Sequence, residues 1–158
     1  MFVGRKKELD ALNSRYKSNR KEFGVLYGRR RIGKSSILNE FLKDKKGILF
    51  QAKQDNSYGN LKSFSYEVDH LLNLPDTFVF ASWQHAFKSI QEYAKNERFV
   101  LVIDEYPYIV SQDSSFSSVL QEFIDHASDN MMVILSGSDI GFLQKEIQNH
   151  ASPLYKRR

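Results

Sequence analysis

The chain contains no cysteine in 158 residues. This excludes a disulfide framework and any thiolate metal site, and it fits a reducing compartment. Long apolar runs are also missing: the longest are strand-sized, too short to span a membrane. The opening segment, MFVGRKKELDAL, lacks the apolar stretch of a secretory signal, so a cytoplasmic location is the expectation. There is no internal repeat, no low-complexity tract and no Pro/Gly linker. One compact domain over residues 1–158 is therefore expected. His70, His85, His126 and His150 show no metal-ligand spacing and read as surface or core residues. No Gly-x-Ser-x-Gly elbow stands in register for a serine nucleophile.

The formal net charge is +4, which is mild. Its distribution is uneven. Lys and Arg gather in the first 34 residues and again in the closing LYKRR, with an acidic balance between. Such polarity suits either a phosphate-facing side or a solvated one.

Four short apolar runs stand out: FGVLYG (23–28), GILFQA (47–52), FVLVID (99–104) and MMVILSG (131–137). FVLVI and MMVIL do not alternate, as strands do not when helices cover both faces of a parallel sheet. Helical periods lie between them. Ile37, Leu38, Phe41 and Leu42 form one stripe; Leu61, Phe64, Val68, Leu71 and Leu72 form a second. Trp83, Ala86, Phe87, Ile90, Tyr93 and Ala94 form a third. Phe116, Val119, Leu120, Phe123, Ile124 and Ala127 form a fourth, and RKKELDALNSRYK reads as a further helix. Strands alternating with such helices predict an α/β fold with a mostly parallel sheet. Ligands then bind outside the carboxyl ends of the strands.

The residues after the first run carry the strongest pattern. Gly28, four residues, then Gly33-Lys34-Ser35 match G-x-x-x-x-G-K-[ST], the Walker A phosphate loop, between a strand and a helix. Glycines permit the tight turn that aims several N–H groups at one anion, and the next helix adds its positive end. The cradle comprises Gly28, Arg29, Arg30, Arg31, Ile32, Gly33, Lys34, Ser35 and Ser36. Lys34 would reach the β- and γ-phosphates, and the Ser35 hydroxyl would ligate Mg²⁺. Arg29, Arg30 and Arg31 form the tip, adding charge near the phosphates or facing water; at least two are expected to face water. The competing reading is a strand-to-helix turn capped by Ser35 or Ser36.

The third run ends in Asp104-Glu105. A carboxylate pair ending a buried strand is costly unless it faces a cation or water. Asp104 is expected to hold Mg²⁺ opposite Ser35, and Glu105 to orient and polarise an attacking water. The plain alternative is the start of a loop. The fourth run places Ser136, Ser138 and Asp139 at its end. They offer a polar contact to the γ-phosphate or a cap for a following helix.

Together FVGRKKELDAL, GRRRIGKSS, VLVIDEYPYIV, LSGSDIGFL and SPLYKRR resemble the archaeal-type ATPase domain family, AAA-related P-loop ATPases, over nearly the whole chain. The resemblance implies a three-layer P-loop NTPase fold with strand order 5-1-4-3-2, and ATP binding and hydrolysis with Mg²⁺. It also implies ADP as product and a conformational switch linked to DNA or a protein partner, in a possible oligomer. It places Phe2, Val3 and Arg5 near the adenine, and makes Ser138, or failing that Ser136, the γ-phosphate sensor. Arg157 or Arg158 is implied to act on a nucleotide in trans, although Lys156 stands where the family usually has Gly. Family members continue into a fifth strand, a helical lid and usually a winged helix. A chain ending at Arg158 is expected to lack these, leaving the first strand at an edge. ATP over GTP follows from the resemblance, as no Asn-Lys-x-Asp string is present. The alternatives are a nucleotide-sensing or DNA-associated module with little hydrolysis, and a small-molecule kinase, for which no Arg-rich lid is found.

Overall fold

The computed structural model describes residues 6–27, 34–75 and 78–137. Four strands occur there: β1 (Glu22–Tyr27), β2 (Gly47–Gln51), β3 (Phe99–Asp104) and β4 (Met131–Gly137). Six helices accompany them: α1 (Lys6–Tyr16), α2 (Lys34–Leu42), α3 (Ser57–Leu72), α4 (Trp83–Tyr93), α5 (Pro107–Gln112) and α6 (Phe116–His126). All strand pairs are parallel, in the order β1-β4-β3-β2. This is the expected P-loop order without its fifth strand: among the described residues, β1 pairs with β4 alone.

Alternate residues of each strand serve opposite helical layers. On one face Val25, Ile48, Phe50, Leu101, Ile103, Val133 and Leu135 meet α3, α4, α5 and α6. On the other Leu26, Val100, Val102, Met132 and Ile134 meet α1 and α2. Every residue of β3 and β4 is buried, which explains why neither strand alternates in sequence. The first face is thick and aromatic. Phe87 stacks on Phe123 at 4.6 Å, Trp83 meets Phe116 edge-on at 4.8 Å, and Phe64 lies 5.1 Å from Trp83. Such pairs add to the burial of their large apolar surfaces and fix ring geometry. The second face is thinner and largely aliphatic, with Phe41 as its buried ring.

Local signals set the helix ends. Asn56 caps α3 by accepting from the Gly59 N–H, and Ser82 caps α4 by accepting from the His85 N–H. Asn73 closes α3 in the left-handed conformation at φ 58°. One element departs from the sequence reading: α5, six residues opened by Pro107. Proline suits the first helical position because its missing N–H has no partner there anyway. With Ile109 as its buried residue, α5 has no repeating stripe to betray it.

Candidate active site

The side-chain parity of the sheet brings the polar residues together. Asp104 follows Val100 and Val102 on the face covered by α1 and α2, and Ser136 follows Met132 and Ile134 on the same face. Their register makes them direct neighbours. Ser35, in the first turn of α2, comes down on this pair.

Asp104 is 2% exposed and accepts three hydrogen bonds from the described residues. Ser136 Oγ donates to Oδ1 at 2.8 Å, the Glu105 N–H donates to Oδ1 at 3.0 Å, and Ser35 Oγ donates to Oδ2 at 3.2 Å. A carboxylate this deep requires such donors, since burial without them costs several kcal/mol, on the order of the handicap of an unpaired ion. The donors also fix its direction toward α2.

The chain then turns sharply. Glu105 has φ 54°, in the left-handed region, and is 6% exposed. For a glutamate that conformation costs about 1 kcal/mol. It is imposed from both sides. The Glu105 N–H is held by Asp104, and the next N–H, on Tyr106, donates to the Ser136 carbonyl at 3.1 Å. Tyr106 is fully buried and its hydroxyl pairs with Ser117 Oγ at 2.8 Å, anchoring the turn to α6. The effect is that Asp104 and Glu105, which would point to opposite faces of a continuing strand, both line one cleft of about 350 Å³. Backbone strain of this kind, held by buried anchors, is typical of functional positions.

The cleft lies at the carboxyl ends of β2 and β3, beside the first turn of α2. Ser35, Asp104 and Glu105 form part of its wall. Gln51, Lys53 and Gln54 from the β2 exit and Tyr108 from α5 supply the rest of its polar lining, with Ala52 beside them. These four were missed in sequence. The available signal was positional: the search for polar residues after β1, β3 and β4 applies equally to the residues after β2. A groove of similar size, about 360 Å³, runs between α4 and α6, lined by Gln84, Gln91 and His126 among others. It sits on the aromatic layer, away from the strand ends, and volume alone does not select it.

Among the predicted site residues, Ser35, Asp104, Glu105 and Ser136 are thus brought together. Lys34 opens α2, and Ser36 is exposed on it one residue beyond Ser35. Gly28, Arg29, Arg30, Arg31, Ile32 and Gly33 lie outside the described residues, as do Phe2, Val3, Arg5, Ser138, Asp139, Arg157 and Arg158. No cluster of three or more His, Asp or Glu side chains suited to a metal occurs among the described residues. No helix there is long and apolar enough to cross a membrane.

Comparison with known proteins is decisive for the family. Residues 2–158 match the profile of an ATPase domain predominantly from Archaea. The chain belongs to this ATPase family. An uncharacterized Methanocaldococcus jannaschii protein is 28% identical over 160 residues, spanning 100% of this chain and 34% of that protein. An uncharacterized ATP-binding protein of the same organism is 46% identical over 46 residues, covering 29% of this chain and 78% of that protein. Cdc6p from Pyrobaculum aerophilum superimposes on 96% of the chain with a TM-score of 0.60 at 15% identity, using 42% of its own length. The ORC2 protein of Aeropyrum pernix, solved with ADPNP and ADP, superimposes on 91% of the chain with a TM-score of 0.59 at 14% identity, again over 42% of its length. These two likenesses establish the P-loop ATPase fold. The ATPase-family domain therefore spans about a third of the curated relative that it matches from end to end. Family membership supports a nucleotide-binding, ATPase-type function.

Proposed function

We propose that this domain, residues 1–158, binds ATP with Mg²⁺, hydrolyses it, and acts as a nucleotide-driven switch within a longer assembly. The observation that carries this reading is the Ser35–Asp104 contact at 3.2 Å, which joins the residue after the phosphate-loop lysine to the carboxylate that ends β3. A strand-to-helix turn with a simple cap has no need of a carboxylate 69 positions away.

The donor set fits a small hard cation: a serine hydroxyl and a buried carboxylate, both oxygen ligands, converge on one point. Bound there, Mg²⁺ supplies charge neutralisation at the β- and γ-phosphates. Ser35 and Asp104 would hold it, the first directly and the second through its water shell. Lys34 and the amides of residues 28–33 stabilise the phosphate charge. Glu105, held in the cleft by its left-handed backbone, orients the water that attacks the γ-phosphorus and accepts a proton from it, releasing phosphate and leaving ADP. Ser136 keeps Asp104 aimed, and Ser138 is assigned the contact with the γ-phosphate.

The decisive measurement is calorimetry with Mg²⁺ and a non-hydrolysable ATP analogue. Wild-type protein binds, and Lys34→Ala loses at least about tenfold in affinity, because a charge-assisted phosphate contact is removed. Unchanged affinity would refute the phosphate cradle. Phosphate found on an acceptor molecule rather than in water would convert the assignment from ATPase to kinase.

A further inference from the structure

The segment leaving β2 is pinned in a way the fold does not require. The Ala52 N–H donates to the Asp104 carbonyl at 2.9 Å, so the ladder continues one residue beyond the strand. At the next residue one side chain takes over both backbone groups. Asn60, on α3 and 2% exposed, accepts from the Lys53 N–H through Oδ1 at 3.0 Å and donates from Nδ2 to the Lys53 carbonyl at 3.0 Å. A few residues on, Asn56 is tied to the Gly59 N–H at 2.7 Å. With the peptide groups on both sides of Lys53 held, its φ and ψ are fixed, and so is the direction of its Cα–Cβ bond.

What this arrangement holds in place is part of the wall of the cleft that the carboxylates also line. Lys53 and Gln54 line the same cleft as Ser35, Asp104 and Glu105. Sheet order supplies the direction. The phosphate loop follows β1, the carboxylate couple follows β3, and Lys53 follows β2 at the far end of the order β1-β4-β3-β2. On the nucleotide-binding reading, a triphosphate that extends from the β1 side past Ser35 and Asp104 would carry its terminal phosphate toward the β2 side of the sheet.

We propose that Lys53 contacts the terminal phosphate of the bound nucleotide, and that Asn60 is the positioning residue that aims it through the Lys53 backbone. This rests on the nucleotide-binding reading above. Lys53 then distinguishes triphosphate from diphosphate: its ammonium gives a charge-assisted hydrogen bond to a group that ADP lacks. It also places a cation beside two carboxylates where the phosphate charge is greatest.

The test compares the affinities of Mg²⁺-AMPPNP and Mg²⁺-ADP for wild type, Lys53→Ala, Lys53→Arg and Asn60→Ala by calorimetry, with no turnover needed. Lys53→Ala weakens AMPPNP about tenfold and ADP less than about twofold, and Lys53→Arg restores most of the difference. Asn60→Ala gives the same selective loss, with both affinities measured on folded protein by circular dichroism. Equal weakening of both nucleotides, or none, in Lys53→Ala overturns the phosphate contact whether or not the Asn60 variant folds. A wild-type AMPPNP-to-ADP ratio in folded Asn60→Ala overturns its positioning role. Wild-type protein that binds neither nucleotide overturns the nucleotide-binding reading itself, and this inference with it.

Discussion

Strand β3 has a buried or half-buried charge at each end, and the two are handled differently. Just before it, Arg98 donates to three main-chain carbonyls: Arg20 and Asp129 at 2.7 Å and Arg15 at 3.1 Å. The guanidinium also lies 5.6 Å from the Tyr16 ring centre. Burial pulls its pKa below the ordinary arginine range, while Glu22, Tyr16 and Asp129 pull it back, and an arginine so placed remains charged. At the other end Asp104 is met by two serine hydroxyls and one N–H, beside an open cleft. The distinction is in the partners. The carbonyls that Arg98 reaches, at the end of α1 and in the α1–β1 and α6–β4 connections, tie three separate segments together, so Arg98 is a structural tie. On the proposed function the Ser35 hydroxyl exchanges this carboxylate for a cation, which would make Asp104 part of a site that changes occupancy.

If this contrast is right, substitutions at the carboxyl end change chemistry, and those at the amino end change stability. The largest effect is expected for Glu105→Gln. Phosphate release falls by at least about 100-fold, while AMPPNP affinity stays within about threefold, because the change removes a proton acceptor and keeps the shape. Equal turnover would take Glu105 out of the reaction. Next is Arg98→Met, which strips three carbonyls of a charged donor and lowers unfolding free energy by about 2–3 kcal/mol in urea titration. Nucleotide affinity of the folded variant stays within about twofold; a drop beyond that would erase the difference between the two ends. Asp104→Asn is smaller. It keeps an acceptor for Ser136 yet weakens Mg²⁺-dependent nucleotide binding about tenfold, with little change when Mg²⁺ is removed by chelation. A loss that is the same with and without Mg²⁺ would argue for a packing role. The smallest is Lys95→Ala. Its ion pair with Glu92 spans 3.3 Å with both side chains 63% exposed, so stability moves by less than about 0.5 kcal/mol.

The same contrast explains what was readable in advance. Among the described residues, all four strands show as apolar runs, α2, α3, α4 and α6 show as apolar stripes, and α1 also reads as a helix in sequence. The aromatic positions Phe64, Trp83, Phe87, Phe116 and Phe123 are in the core as their spacing predicts. Helix α5 escaped because one turn and a half contains no period. Ser35, Asp104 and Glu105 could be singled out because a Gly-x-x-x-x-Gly-Lys-Ser spacing and a carboxylate pair ending an apolar run are uncommon patterns, and the structure brings the three to one cleft. Asn60, Lys53 and Arg98 could not be. An asparagine on a helix face, a lysine in a loop and an arginine before a strand are common residues in ordinary places. Their meaning lies in which backbone groups they reach, and the partners of Arg98 are as far as 83 positions away.

Local sequence alone determined the alternation of elements and the strands buried on both faces, and it marked Gly-x-x-x-x-Gly-Lys-Ser and Asp-Glu as the residues to place, because periodicity and backbone sterics act over a few residues. The place of β4 between β1 and β3 was implied by the family resemblance and by no local pattern; only the tertiary structure decided that Ser136 stands beside Asp104 and that a left-handed Glu105 turns both carboxylates into one cleft. Those relations depend on strand register and on hydrogen bonds between distant segments, and no short stretch of chain contains both partners.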